Sequence, residues 1–211
     1  GEVLMLDGEE VPGVLAERIL TLIDMDLTVE PLILFIQNLR LNTSKASVEE
    51  LYGFLEASQL PITDDGHFLA YKMVSFDYKD MYTHTIPNSV GSEVAMERRK
   101  VDDNRNRTCS TGLHFAAYEY ASSFGNGKLM VLKVNPKDVV SIPKDYNNQK
   151  GRCCAYTVYD ELEIQSQDDL TGAGFVTVTN DVFTLVTDDD WGWDEDDDRY
   201  DDEDDFLGEG F

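Results

Sequence analysis

The chain has 211 residues, 42% of them hydrophobic, and sets 42 Asp and Glu against 17 Lys and Arg for a formal charge of −25. That length and apolar content support one domain of ordinary size with an appendage. The acidic balance repels phosphate backbones and anionic headgroups, which argues against charge-driven binding to nucleic acid or a membrane surface and favours basic protein partners.

Three cysteines, two of them adjacent at Cys153 and Cys154, do not suit a secreted disulfide framework and fit a reducing cytosol. The longest apolar run, Pro31–Ile36, ends at Gln37, far short of the ~18 to 20 residues needed to cross a bilayer. Early acids at Glu2, Asp7, Glu9 and Glu10 are the reverse of a signal peptide's basic start, although a first residue of Gly leaves a removed leader open.

In chain order, Val14, Leu15, Ile19, Leu22 and Ile23 recur at helical spacing. Pro31 suits the first turn of a second helix carrying Leu32, Phe35, Ile36 and Leu39. Ser47 followed by Glu50 reads as a capping box ahead of Leu51, Phe54 and Leu55, so a third helix is expected to run to about Ser58. The three apolar stripes read as mutual core.

From Pro61 the texture turns to β. Asp64-Asp65-Gly66 is a turn, and His67 to Val74 has the length and residue types of a half-buried strand. Tyr82 to Ile86 suggests a short hairpin arm, and Asn88 to Asn106 a long charged excursion. A strand end at Gly112 to Phe115 leads into a helix over Ala116 to Phe124. Strands are then expected at Lys128 to Val134, Val139 to Ile142 and Cys153 to Ile164, with Phe175 to Val186 a last strand or extended arm. The fold class is α+β: N-terminal helices followed by a mostly antiparallel sheet with one short helix. The expected division is a helical segment over 1–60, an α+β core over 61–187 and an acidic tail over 188–211.

Several motifs stand in order along this core: PITDDGHFLAYKMV, NSVG with the following VAMERRKVDD, TCSTGLHF, LKVNPKDVVSIPKDYNNQKGRC and CCAYTVYDE. From about Pro31 to about Glu163 they resemble the C-terminal region of the phage rIIB proteins, the rapid-lysis family. The resemblance implies a phage-encoded accessory protein without catalysis or cofactor. On that reading it acts with an rIIA-type partner in the host bacterial cytoplasm and peripherally at the inner membrane, influencing lysis timing and protection from prophage exclusion. With neither a span nor a basic amphipathic face in the sequence, membrane association would come through the partner. The alternative is a structural or virion-associated protein that docks on other virion proteins through its acidic, aromatic tail.

Cys109, His114, Cys153 and Cys154 are zinc-ligand types, but Cys-x₄-His with a distant Cys-Cys is a poor match to zinc spacing, and adjacent strand residues face opposite ways. Cys109 with His114 could also be a thiol and its base, though no third orienting residue is identifiable. The order of strands and helix also resembles ADP-ribosyltransferase domains, in which case Tyr71 and Glu161 are the residues of interest; that likeness is one of layout alone.

Two charged segments remain. Arg98, Arg99, Lys100, Arg105 and Arg107 form a basic island in the excursion, read either as a solvated loop or as a dock for an acidic segment. Asp188 to Asp205 carries about half of the net charge, relieved only by Arg199. Such composition favours a solubilising tail. Its Trp191, Trp193, Asp196 and Tyr200 also match the acid-with-aromatic pattern by which tails bind basic grooves.

Overall fold

The computed structural model describes residues 3–58, 60–144, 149–162, 176–179 and 182–185. Helices come first and an antiparallel sheet follows, an α+β architecture as the sequence patterning expects. An Asp-Gly pair opens it: Asp7 and Gly8, at φ 52° and 82°, turn the chain between β1 (Met5–Leu6) and β2 (Glu9–Glu10).

The three expected helices are α1 (Gly13–Asp24), α2 (Glu30–Arg40) and α3 (Lys45–Ser58). Pro31 sits in the first turn of α2, where its missing N–H costs nothing, and the helix buries Leu32, Phe35, Ile36 and Leu39. The expected capping box at the third helix does not form. Ser44 caps α3 instead, accepting from the Ser47 N–H at 3.2 Å, while the buried Ser47 hydroxyl donates to the Val140 carbonyl. Glu50 accepts from the Ile142 N–H at 2.9 Å. Both side chains thus bind α3 to the sheet rather than to its own first turn.

The seven-stranded sheet runs in the order β4-β9-β6-β3-β5-β8-β7. Its strands are β3 (Phe68–Val74), β4 (Glu93–Ala95), β5 (Leu113–Ala116), β6 (Lys128–Val134), β7 (Val139–Ser141), β8 (Lys150–Cys153) and β9 (Ala155–Leu162), with α4 (Tyr118–Ser123) between β5 and β6. β3 and β6 pair along their whole length, from Phe68 opposite Val134 to Val74 opposite Lys128. By contrast β3 and β5 meet in register only at Tyr71 and Ala116, so the sheet is seamed at its centre.

The strand expected over Cys153 to Ile164 is β9, beginning at Ala155, and an unexpected strand, β8, runs into it from Lys150. β8 pairs with β5 and β7, and β9 pairs with β6 and β4 on the other side of the sheet. Cys154 is the point of change. Its N–H donates to the Asp138 carbonyl at 2.9 Å and its carbonyl accepts from the Met96 N–H at 2.8 Å, so its backbone leaves both ladders yet stays satisfied.

Three further expectations shift. Residues 82–86 are a turn and not a hairpin arm, because the Asp80 carboxylate gathers the N–H groups of Thr83, Thr85 and Ile86. The charged excursion contains the edge strand β4 and a single 3₁₀ turn at Arg98–Lys100. Near the C-terminus β10 (Val176–Thr179) and β11 (Val182–Leu185) pair antiparallel as a hairpin where one strand or arm was expected. The acidic run, with Trp191, Trp193, Asp196 and Tyr200, lies outside the described residues.

One hydrophobic core joins the three helices to the sheet. At its centre Phe35, Phe54, Phe68 and Phe115 pack edge-to-face, with ring centroids 5.4 Å apart for Phe54 and Phe115 and 5.5 Å for Phe68 and Phe115. Burying each ring contributes about 1.5–3 kcal/mol, and each edge-to-face pair adds roughly 0.5–1.5 kcal/mol. The Asp64-Asp65-Gly66 turn seats against α2 so closely that a Cβ on Gly66, at φ 73°, would lie 2.4 Å from backbone atoms of Leu34 and Phe35. Among the described residues no helix is long and apolar enough to cross a membrane.

Candidate functional site

Next to the single rung between Tyr71 and Ala116, Lys72 reaches across the seam and donates from Nζ to the His114 carbonyl at 3.3 Å. On the sheet face away from the Phe cluster, α4 packs against the strands, with Tyr118 edge-to-face on Tyr71 at 5.4 Å. A cavity of about 610 Å³ remains there, walled by Tyr71, Met73, His114, Tyr120, Phe124 and Lys150 and by the segment 108–112. Cavities of this size hold small-molecule ligands in other proteins.

The register explains why charge collects at this spot. His114 lies opposite Arg152 and Ala116 opposite Lys150, and cross-strand partners share a face, so β5 and β8 bring an imidazole, an ammonium and a guanidinium together. Burial, followed by the positive charges of Lys72, Arg152 and Lys150, pushes His114 down to about 4, which keeps the ring neutral at pH 7. Burial also lowers Lys72. The Lys150 ammonium stands 5.5 Å from the centre of the Tyr120 ring, within reach of a cation–π attraction. A chain of charge −25 has therefore concentrated cations around one cavity.

Arg152 is fully buried and organises the loop beside this cavity. It donates from Nε to the Asp102 carbonyl at 2.8 Å, from Nη1 to the Arg107 carbonyl at 2.7 Å, and from Nη2 to the Asn104 carbonyl at 2.8 Å and the Ser141 hydroxyl at 3.3 Å. The five-donor fork suits such a task, since it can satisfy several backbone acceptors at once. Gly112 leaves room for the stem of that arginine: a Cβ there would lie 2.9 Å from Val101 Cγ1 and 3.2 Å from Arg152 Cδ. Within the loop, the Ser110 hydroxyl, then the Asn104 N–H and the Arg107 guanidinium, hold the Asp102 carboxyl down at about 2.

The basic residues picked out in the sequence are tied mainly to their own chain. Arg98 donates to the carbonyls of Lys137 and Val139, each at 2.9 Å, and to Asn42 Oδ1 at 2.8 Å. Arg99 and Lys100 pair with Glu97, and Arg107 with Asp102 at 3.2 Å. Arg105 Nε stands 3.4 Å from Glu50 Oε1, close enough for ion pairing but out of line for a hydrogen bond. Exposed pairs of this kind contribute about 0–1 kcal/mol each.

The residues with metal-ligand chemistry are dispersed. Cys109 is exposed, whereas Cys153 is fully buried with its thiol 3.5 Å from the Leu113 carbonyl, and the Cys154 thiol turns to Asp138 Oδ1 at 3.7 Å. Burial raises the Cys153 and Cys154 thiols above the ordinary range. Among the described residues no group of three or more His, Cys, Asp and Glu is placed to hold a metal ion. Cys109 and His114 border the same cavity, but among the described residues no hydrogen bond joins them. Tyr71 lines the cavity too, while Glu161 accepts from Tyr78 Oη at 2.8 Å and Lys128 Nζ at 2.6 Å and is not one of its walls.

Sequence reasoning missed Lys72, Lys150 and Arg152. Lys72 sits inside the strand that was read correctly, and its inward turn has no local signal. Lys150 and Arg152 fell in a stretch, KGRC, that lacks the β-branched and aromatic residues of a recognisable strand. Their spacing of two was the available clue to a shared face.

The chain matches the family model described as Bacteriophage T4 protein rIIB over residues 1–178. Protein rIIB of Enterobacteria phage T4 is 38% identical over 167 residues, covering 78% of this chain and 54% of that protein. The chain thus spans about half the length of the curated relative it matches. No solved structure matches it. The family match takes in α1, α2, α3 and the entire seamed sheet, including every wall of the cavity, and the chain belongs to the phage rIIB family.

Proposed function

We propose that this chain is a non-catalytic accessory protein of the rIIB type, acting in the infected bacterium on the timing of lysis or on protection from exclusion. The observation that carries this reading is the family match over residues 1–178. It acts through a protein partner, an rIIA-type protein, and any contact with the inner membrane comes through that partner.

An apolar patch supports a protein partner. Leu20, Ile23, Met25 and Leu27, at and just beyond the end of α1, are exposed by 52%, 55%, 61% and 48%. Leu20 and Ile23 stand at i, i+3 on one helical face, and Met25 and Leu27 follow beyond the end of the helix at Asp24, either side of Asp26 with its φ of 56°. Several large apolar side chains exposed within one short segment mark interaction sites more often than isolated exposed residues do.

The test is a phage in which this gene is interrupted early. Earlier lysis, followed by optical density, or lost plating on hosts carrying a prophage is the expected outcome; unchanged behaviour in both assays rejects the reading. Ile23→Glu sharpens it, because that charge should abolish co-recovery with the rIIA-type partner from infected-cell membranes while the purified protein keeps its melting temperature. Stoichiometric copies in purified virions would replace the accessory role with a structural one.

A further inference from the structure

We propose that the cavity between β3, β5 and α4 is a binding site for a small anion carrying a flat ring, of the mononucleotide class. The inference stands apart from the accessory role and can fail without it. Three observations meet at the site. The cavity, at about 610 Å³, is large enough for a ligand of this class and is mainly apolar, with Tyr71, Tyr120 and Phe124 among its walls. Lys72 and Lys150 line it, and Arg152 lies behind them opposite His114. Thr108 and Thr111 place hydroxyl-bearing residues on the same wall.

Each kind of group selects part of the ligand. Aromatic walls favour a planar ring by stacking, whereas the Lys150 ammonium, with the charge of Arg152 nearby, favours a phosphate over a neutral group. His114 adds no charge of its own and offers one N–H and one lone pair to a base or sugar. Asp80 is the acid on this wall, and neutral donors hold its carboxylate ionised: Oδ2 accepts from the Thr83 N–H at 2.6 Å, and Oδ1 accepts from the Thr83 hydroxyl and the N–H groups of Thr85 and Ile86, so its charge offsets that of Lys72 and leaves Lys150 and Arg152 as the positive surplus. The charge of −25 over the whole chain opposes a long polyanion but acts far less on a small one drawn into a locally positive recess. A free mononucleotide, and not the end of a nucleic-acid strand, is therefore the fitting occupant.

Calorimetric titration of the full chain with AMP, GMP, CMP and UMP, and separately with adenosine, inorganic phosphate and a single-stranded oligonucleotide, tests the site. Saturable one-to-one binding of at least one mononucleotide is expected, with adenosine and phosphate weaker by about tenfold or more. Lys150→Met should weaken binding by about tenfold or more. Phe124 is 52% exposed, so Phe124→Glu should leave the fold intact, checked by circular dichroism, and still repel the anion. The proposal is overturned if none of the four mononucleotides saturates, if a folded Phe124→Glu variant binds as the parent does, or if the oligonucleotide binds more tightly than every mononucleotide.

Discussion

One step along β5 separates two different interiors. Phe115 enters the cluster with Phe54 and Phe68 beneath α3, and its neighbour His114 faces the cavity among Lys72, Lys150 and Arg152. The first interior is dry and held by shape. The second is held by charge shared out to backbone carbonyls, as in the contacts of Arg152 with the loop at Asp102, Asn104 and Arg107. A sheet can thus give one face to stability and keep the other for recognition, and the two faces should fail under different insults: loss of volume for the first, loss or gain of charge for the second.

The largest effect is expected on the dry face. Phe54→Ala removes a fully buried ring that touches both Phe68 and Phe115 and should cost about 3–5 kcal/mol, read from the shift of a denaturant midpoint. A cost near that of a surface change would mean that the helices are not seated on the sheet as described.

Next comes Arg152→Met, which keeps most of the stem but leaves three backbone acceptors without their donor. A loss of about 2–3 kcal/mol is expected. The second readout is local: limited proteolysis should now cut within 102–111 and not in the helices. Uniform cleavage along the chain would deny Arg152 its role in holding that loop.

A pH series distinguishes the faces without deleting anything large. His114 titrates at about 4 when folded, below its ordinary 6.5, so between those values the unfolded chain binds the extra proton. Stability should therefore be fully present above about 6.5 and fall as pH drops toward 4, with a slope of at most about 1.4 kcal/mol per pH unit from this group. His114→Gln should flatten that part of the curve, whereas a Phe54→Ala background should leave its slope unchanged. Below pH 4 a second decline is expected, because Asp80 is held at about 2: its burial opposes ionisation, but bonds from Thr83, Ile86 and Thr85 outweigh that effect.

The smallest effect belongs to the exposed arginines. Arg99→Ala should change stability by less than about 0.5 kcal/mol, since that side chain is 82% exposed and pairs with Glu97 at the surface. A larger loss would assign the loop surface a structural part that its contacts do not show.

The legible features of the sequence were those with local causes. Periodicity marked α1 and α2, Pro31 marked the first turn of α2, and β-rich runs marked β3 and β6. Ser47 and Glu50 misled because a capping pattern and a tertiary tie to the sheet use the same side-chain chemistry. Cys153 and Cys154 drew attention as metal-ligand types, yet nothing local told that the chain changes ladders between them. The cavity was illegible for a deeper reason. Its walls come from segments as distant as Tyr71 and Lys150, and only the crossing order of the strands brings them together. Arg98 and Arg152 donate to carbonyls about forty or more positions away, which no local pattern announces.

The single rung at Tyr71 and Ala116 also has a bearing on how the sheet breathes. A ladder of many rungs exchanges its amide hydrogens as one block, whereas two ladders joined by one rung can open separately. Deuterium uptake should accordingly divide at the seam. Amides of β3, β6 and β9 would exchange on one timescale and those of β5, β8 and β7 on another, with Cys154 as the covalent strap between the two clocks.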